Sequence, residues 1–259
     1  MIRLRQPSLV LTGTALLALT VSSQAVISVV GNFRLGETDP GAAAGNPGGA
    51  TTDNAAGLPV LTLLDTAPVY VSPGVSGSSL AMDFSSGGYF SPTLVNTNND
   101  WGIEAWVQGD SGSAISAIAY NGNSANAGMG IYQFNNTYIG LMGGIAFVGS
   151  TPVSANWTHL AMVVNGGATT FYVNGVANAT VGAPNIPAGN FNIGTRPDGG
   201  ERFDGRIDEV RVFTFAPGQF DVSDLQFNGV VPEPGAALLL AGGGLALVRR
   251  RRRSVIGNR

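Results

Sequence analysis

Trp157-Thr-His-Leu-Ala-Met-Val-Val-Asn-Gly-Gly-Ala-Thr-Thr-Phe-Tyr-Val-Asn-Gly-Val-Ala-Asn-Ala-Thr-Val181 is the stretch that decides the fold. It divides into three β-type runs, Trp157 to Val164, Thr169 to Val173 and Val176 to Val181. The dividers are Asn165-Gly166-Gly167 and Asn174-Gly175. An Asn-Gly pair between β-runs marks a tight hairpin, because both central residues of a type I′ turn need positive φ. The segment therefore reads as an antiparallel meander. Trp157, at its head, is expected to anchor the core, since a buried Trp removes a large apolar area from water.

Working outward, similar runs recur on both sides. Leu80 to Phe84, Gly102 to Val107 and Gly128 to Phe134 precede the meander, the last leading into a hairpin at Asn135-Asn136. Phe191 to Gly194 and Arg206 to Phe213 follow it. Val26 to Leu35 is a candidate first strand, and the Gly-, Ala- and Pro-rich stretch from Gly36 to Gly57 reads as a loop. Many short strands separated by turn residues, with no helical periodicity, mean an all-β sandwich or jelly roll of two antiparallel sheets. Composition agrees: 38 of 259 residues are Gly and only 11% are charged. No run reaches the roughly 20 apolar residues of an ordinary spanning helix, which excludes a polytopic helical membrane protein. There is no Cys, so packing must supply stability that disulfides supply elsewhere.

Ile103-Glu-Ala-Trp106, Trp157 to Met162, Phe171-Tyr-Val-Asn-Gly175, Phe191 to Gly194 and Phe203-Asp-Gly-Arg-Ile-Asp-Glu-Val-Arg-Val212 occur in that order. Their order and spacing resemble the LamG-like jelly roll of the concanavalin A-like lectin/glucanase superfamily, over roughly residues 60–228. The resemblance implies a carbohydrate- or protein-binding face, and it obliges a search for glycosidase carboxylates.

That search finds no catalytic residues. Glycoside hydrolysis needs two carboxylates flanking one bond, about 5–9.5 Å apart. Asp208 and Glu209 are adjacent, and in a regular strand adjacent side chains leave opposite faces. Glu104 has no acidic neighbour two positions away. Asp208 is expected to satisfy backbone donors of a nearby loop, and Glu209 to share a face with Arg211 and pair with it. His159 is the single histidine, and without Cys or a carboxylate cluster in its vicinity it reads as a packed strand residue. For a cofactor the sequence offers only a candidate Ca²⁺ loop with Asp198, Glu201 and Asp204, where flanking Arg196 and Arg202 offset much of the charge. For a ligand it offers the aromatic cluster Tyr132, Phe134 and Tyr138 around the Asn135-Asn136 turn.

The two ends read as addresses. Residues 1–25 combine Arg3 and Arg5, an apolar run from Leu9 to Val21, and small residues at Ser23 and Ala25, the pattern of a secretory signal peptide entering the Sec machinery. Residues 26–59 form the first strand and its loop. Near the C-terminus, Pro232-Glu233-Pro234 precedes an apolar stretch, Gly235 to Val248, and the basic run Arg249, Arg250, Arg251, Arg252 and Arg253. Fourteen residues make a helix of about 21 Å, a short membrane segment stopped by its Arg cluster. Residues 231–253 resemble the PEP-CTERM sorting signal of Gram-negative bacteria, in which an exosortase recognises the Pro-Glu-Pro motif. That resemblance implies an inner-membrane-anchored precursor delivered to the cell surface or extracellular matrix, in an exopolysaccharide-producing envelope. Between residues 26 and 230 there are five Arg and fifteen Asp plus Glu, a net charge of 5 − 15 = −10. Such a body does not neutralise phosphates, so nucleic acid is not an expected partner. The expected function is a non-enzymatic envelope or matrix protein that binds polysaccharide or protein. A secreted glycan-active enzyme and a spacer without a ligand remain the alternatives.

Overall fold

A computed structural model describes residues 27–37, 39–49, 61–110, 112, 114–143, 146–196 and 198–228. The expected signal segment and sorting tail lie outside the described residues. Among the described residues, no helix is long and apolar enough to cross a membrane.

The described residues form fifteen strands: β1 (Ser28–Phe33), β2 (Thr62–Asp65), β3 (Val69–Val71), β4 (Ala81–Asp83), β5 (Gly87–Ser91), β6 (Trp101–Gly109), β7 (Ser116–Asn123) and β8 (Ala127–Phe134) come first. β9 (Thr137–Met142), β10 (Ala146–Pro152), β11 (Thr158–Asn165), β12 (Ala168–Val173), β13 (Val176–Gly182), β14 (Phe191–Ile193) and β15 (Gly205–Thr214) follow. They build two antiparallel sheets packed as a jelly-roll sandwich. The first has the order β13-β12-β11-β6-β15-β4-β3, with β1 also paired to β15. The second has the order β10-β9-β8-β7-β14-β5-β2.

The turns carry the expected chemistry. Asn135 and Asn136 have φ of 48° and 60°, and Asn174 and Gly175 have 48° and 75°. These are the positive values a tight hairpin demands. The resulting registers place Leu160 opposite Ala105 and Met162 opposite Ile103, so alternate residues of β6 and β11 enter one core. Met129 and Ile131 of β8 and Phe191 and Ile193 of β14 meet them from the second sheet. Phe33 stacks on Phe191 at 5.6 Å, so β1 is built into the sandwich and does not merely precede it.

Two expectations change. Trp157 lies just ahead of β11, is half-buried, and joins none of the core clusters, while Trp101 is fully buried in the main one. Glu209 has φ of 48° and marks a register shift between Asp208 and Arg211. That bulge inserts an extra residue, so Asp208 and Glu209 are not sent to opposite faces as in a regular strand.

After β15 the chain crosses the outer face of the first sheet as a strap. Phe215 and Leu225 pack on Ala161, Val163 and Phe213, with Phe220, Val222 and Phe227 alongside. Its one 3-10 turn, Val222–Asp224, is capped by Asp221.

Candidate functional site

Three loops converge at one end of the outer face of the second sheet. The first is the turn between β7 and β8, held by Ala125 N donating to Asn123 Oδ1 at 2.9 Å. The second enters β14 through Gly189 and Asn190. Gly122 (φ 119°) and Gly189 (φ 109°) adopt backbone open to glycine, which lets the two segments close up. Gly122 N then donates to Asn190 O at 3.0 Å. The third loop follows β14 and is tied by Arg196 N to Gly200 O at 2.9 Å. Between them lies a cavity of about 470 Å³, lined by Asn123, Ser124, Asn190, Asn192, Arg196 and Asp198 among others. Asn192 reaches it because its neighbours Phe191 and Ile193 both point into the core, and its Nδ2 is fixed on Thr195 O at 2.6 Å.

Arg196 organises the third loop. It pairs with Asp198 through Nε and Nη2, and with Glu201 Oε1 through Nη1 at 2.8 Å. The Asp198 hydrogen bond is the largest influence raising the guanidinium's pKa, and the same bond holds the Asp198 carboxyl below its usual range. Asp198 and Glu201 are thus committed to a guanidinium, and exposed Asp204 does not join them. The acids of the candidate Ca²⁺ loop are therefore placed as a guanidinium clamp, with Asp204 apart from it.

The expected aromatic ligand residues separate. Tyr138 is buried in the main core, where burial pushes its hydroxyl up to about 12. Tyr132 is also fully covered, edge to face with Tyr120 at 5.6 Å, and its hydroxyl looks toward Ser124 and Glu201. Neither presents a face to a ligand. Phe134 is half-buried and keeps its candidacy, lying 5.1 Å from Phe147, which is 48% exposed. The cavity's Asn and Ser residues escaped the sequence reading, which met Arg196 and Asp198 only in the candidate Ca²⁺ loop. The available signal was two Asn- and Gly-bearing loops, Asn121 to Asn126 and Gly189 to Asn190, but only the sheet order brings them together.

Two buried polar groupings lie elsewhere. On the outer face of the first sheet, Glu104 Oε2 is 2.8 Å from His159 Nε2 and accepts Gln226 N at 3.0 Å, while Oε1 pairs with Arg211. Burial alone would raise the Glu104 carboxyl, but Arg211 and His159 outweigh it and hold it below the ordinary range. The strap covers this group, so His159 is a packed strand residue as expected, with a carboxylate partner the sequence did not reveal. The second grouping forms at the β15 bulge. Oxygens of Glu37, Asp208 and Glu209 come within 4.8 Å of one another, a set able to share a hard cation or a proton. Asp208 accepts Val75 N at 2.9 Å, the loop-tying role expected of it, and burial pushes its carboxyl well up. Glu209 pairs with Arg34 at 2.8 Å, and Arg211 with Glu104, in place of the expected Glu209–Arg211 pair.

A model of the concanavalin A-like lectin/glucanase superfamily, Laminin_G_3, matches residues 84–223. The chain belongs to that superfamily. Among solved structures, it is similar to domain 4 of AbnA, an extracellular arabinanase of Geobacillus stearothermophilus, in complex with arabinotriose. Identity is 19% and the TM-score 0.57, over 76% of this chain and 98% of that one. It is also similar to the binding domain of botulinum neurotoxin serotype D, at 10% identity and TM-score 0.54, over 78% of this chain and 50% of that one. Trypanosoma rangeli sialidase in complex with sialic acid follows at 15% and 0.52, over 76% of this chain and 32% of that one. Identities this low establish a shared fold. A comparison with curated protein sequences finds no match.

Proposed function

We propose that this is an exported, non-enzymatic envelope or matrix protein whose jelly roll binds carbohydrate in the cavity beside Arg196. The observation that carries the reading is the lining itself. Asn and Ser side chains with a fixed guanidinium supply donors and acceptors at a concave surface, the chemistry that recognises sugar hydroxyls. The exposed Phe147 beside Phe134, on the same outer face, adds an apolar surface on which a pyranose or furanose ring can rest. An arabinanase domain of like fold, in complex with arabinotriose, gives the reading a precedent.

The state of the carboxylates supports the non-enzymatic reading. A glycosidase acid needs a raised pKa and access to the glycosidic oxygen. Asp198 is accessible but held low by Arg196. Asp208 and Glu209 are raised by burial, but are 0% and 2% exposed. Export and sorting rest on the signal-peptide pattern of residues 1–25 and on Pro232-Glu233-Pro234 with its apolar and Arg-rich sequel. Sec machinery, an exosortase and, before processing, the membrane are then partners.

A glycan array and a hydrolysis screen on the full chain test the proposal together. Binding without turnover is expected. Replacing Asn123 and Asn190 together by Ala should weaken binding by about tenfold or more, since each lost hydrogen bond is worth about 0.5–1.5 kcal/mol; Asn190→Ala alone, which leaves the Asn123 turn bond in place, should weaken it several-fold with little change in melting temperature. Turnover, or binding indifferent to both substitutions, would defeat it.

A further inference from the structure

The guanidinium in the cavity wall is mostly spent before any ligand arrives. Arginine has five N–H donors. Nε donates to Asp198 Oδ1 at 3.2 Å, Nη2 to Asp198 Oδ2, and Nη1 to Glu201 Oε1 at 2.8 Å. One N–H on each terminal nitrogen is left. The charge is more than spent, because one cation faces two carboxylates and the group sums to 1 − 2 = −1. The Asp198 side chain is 56% exposed against 35% for Arg196, so the wall shows solvent a carboxylate edge. The neighbouring side chains Asn123, Ser124 and Asn190 are neutral.

We propose that this clamp makes the site selective for neutral polysaccharide and hostile to acidic glycans such as uronates and sialates. The inference rests on the carbohydrate-binding reading above and specifies its ligand class. A hydroxyl both donates and accepts, so neutral sugars use the two remaining N–H groups, the amides and the outer carboxylate lone pairs together. A sugar carboxylate only accepts. At the two N–H groups left it would sit beside the carboxylates of Asp198 and Glu201, and to take the Nε–Nη2 edge it must displace Asp198, which then stays nearby. Like charges held that close disfavour one another. The net charge of −10 between residues 26 and 230, from five Arg and fifteen acids, opposes the approach of an anionic polymer before contact. An arginine meant for a glycan carboxylate would face the cavity without two acids on it; here Asp198 holds the Nε–Nη2 edge and Glu201 one N–H of Nη1.

The test is isothermal titration of the full chain with arabino-, xylo- and gluco-oligosaccharides, and with oligogalacturonate of matching length. A preference of about tenfold or more for at least one neutral series is expected in dilute buffer, shrinking as salt screens the repulsion. Asp198→Asn removes one negative charge from an exposed position, and should reduce that preference several-fold while the melting temperature holds. Oligogalacturonate bound as tightly as every neutral series would overturn the inference and leave the glycan reading standing. So would a preference that Asp198→Asn leaves unchanged. Binding of neither class would remove both.

Discussion

Glu209, at φ of 48°, occupies backbone that a non-glycine L-residue adopts at a cost of roughly 1–2 kcal/mol. The surrounding contacts enforce it: Asp208 Oδ1 accepts Glu209 N at 2.9 Å, and Arg34 holds the Glu209 carboxylate at 2.8 Å. Period-two reasoning assumes an unbroken strand, so it fails at this residue. Nothing in the local sequence announces the bulge, because Glu carries none of the signal that Gly or Asn gives at Asn174-Gly175. The tryptophans teach a related lesson. A large aromatic at a strand's head looks like an anchor, but burial is set by which face the register turns inward. Trp101 is fully buried and Trp157 is not. Trp101→Ala should therefore cost about 3–5 kcal/mol, the usual range for emptying a buried aromatic site. Trp157→Ala should cost much less, and chemical denaturation of the two variants in parallel measures the difference. Equal losses would return Trp157 to the core.

At the scale of elements, the strap is fastened by polar bonds as well as by its Phe and Leu residues. Trp106 Nε1 donates to Gln226 O at 3.1 Å, Gln226 N to Glu104 Oε2 at 3.0 Å, and Arg211 Nη2 to Asp224 O at 2.5 Å. All three bonds meet around Glu104. Its folded-state pKa is lowered, so its contribution to stability is present above the ordinary carboxylate pKa and is lost as pH falls through the lowered value. Acidification below the ordinary value of 4.5 should loosen residues 215–228 first. Hydrogen exchange at the Gln226 amide, compared at neutral pH and near pH 3, reads this directly. Glu104→Gln should cost about 3–5 kcal/mol, as breaking one side of a buried charge pair does. It should also flatten the acid response, and an unchanged response would reassign that response to other carboxylates. The hairpins themselves were legible, because their turns are written in Asn and Gly. The strap was not, since an amphipathic coil without periodicity looks like any loop until a sheet face receives it. The cavity was hidden for the same reason: its loops are ordinary alone and meet only through β7, β14 and their neighbours.

For the whole molecule, the proposed sorting role of residues 231–253 can be tested directly. Replacing Glu233 with Ala in the native host should leave the precursor membrane-retained and unprocessed, and intact-mass measurement of the wild type should find a mature chain lacking Arg259. A wild-type chain still ending at Arg259 would reduce residues 231–253 to an anchor. The overall architecture was readable because alternation, turn residues and low charge all point to one class of fold. The order of strands within the sheets was not, since no local pattern encodes which distant partner fills a gap. That order has a temporal consequence. β14 fills the place between β7 and β5, and β15 the place between β6 and β4. A chain emerging N-terminus first, from a ribosome or through a membrane pore, exposes two half-sheets on each layer with their inner edges unpaired. Neither layer closes until residues 191–214 have arrived. The last strands made are thus keystones, and a nascent chain stalled before them should remain open to chaperones and proteases however long it waits.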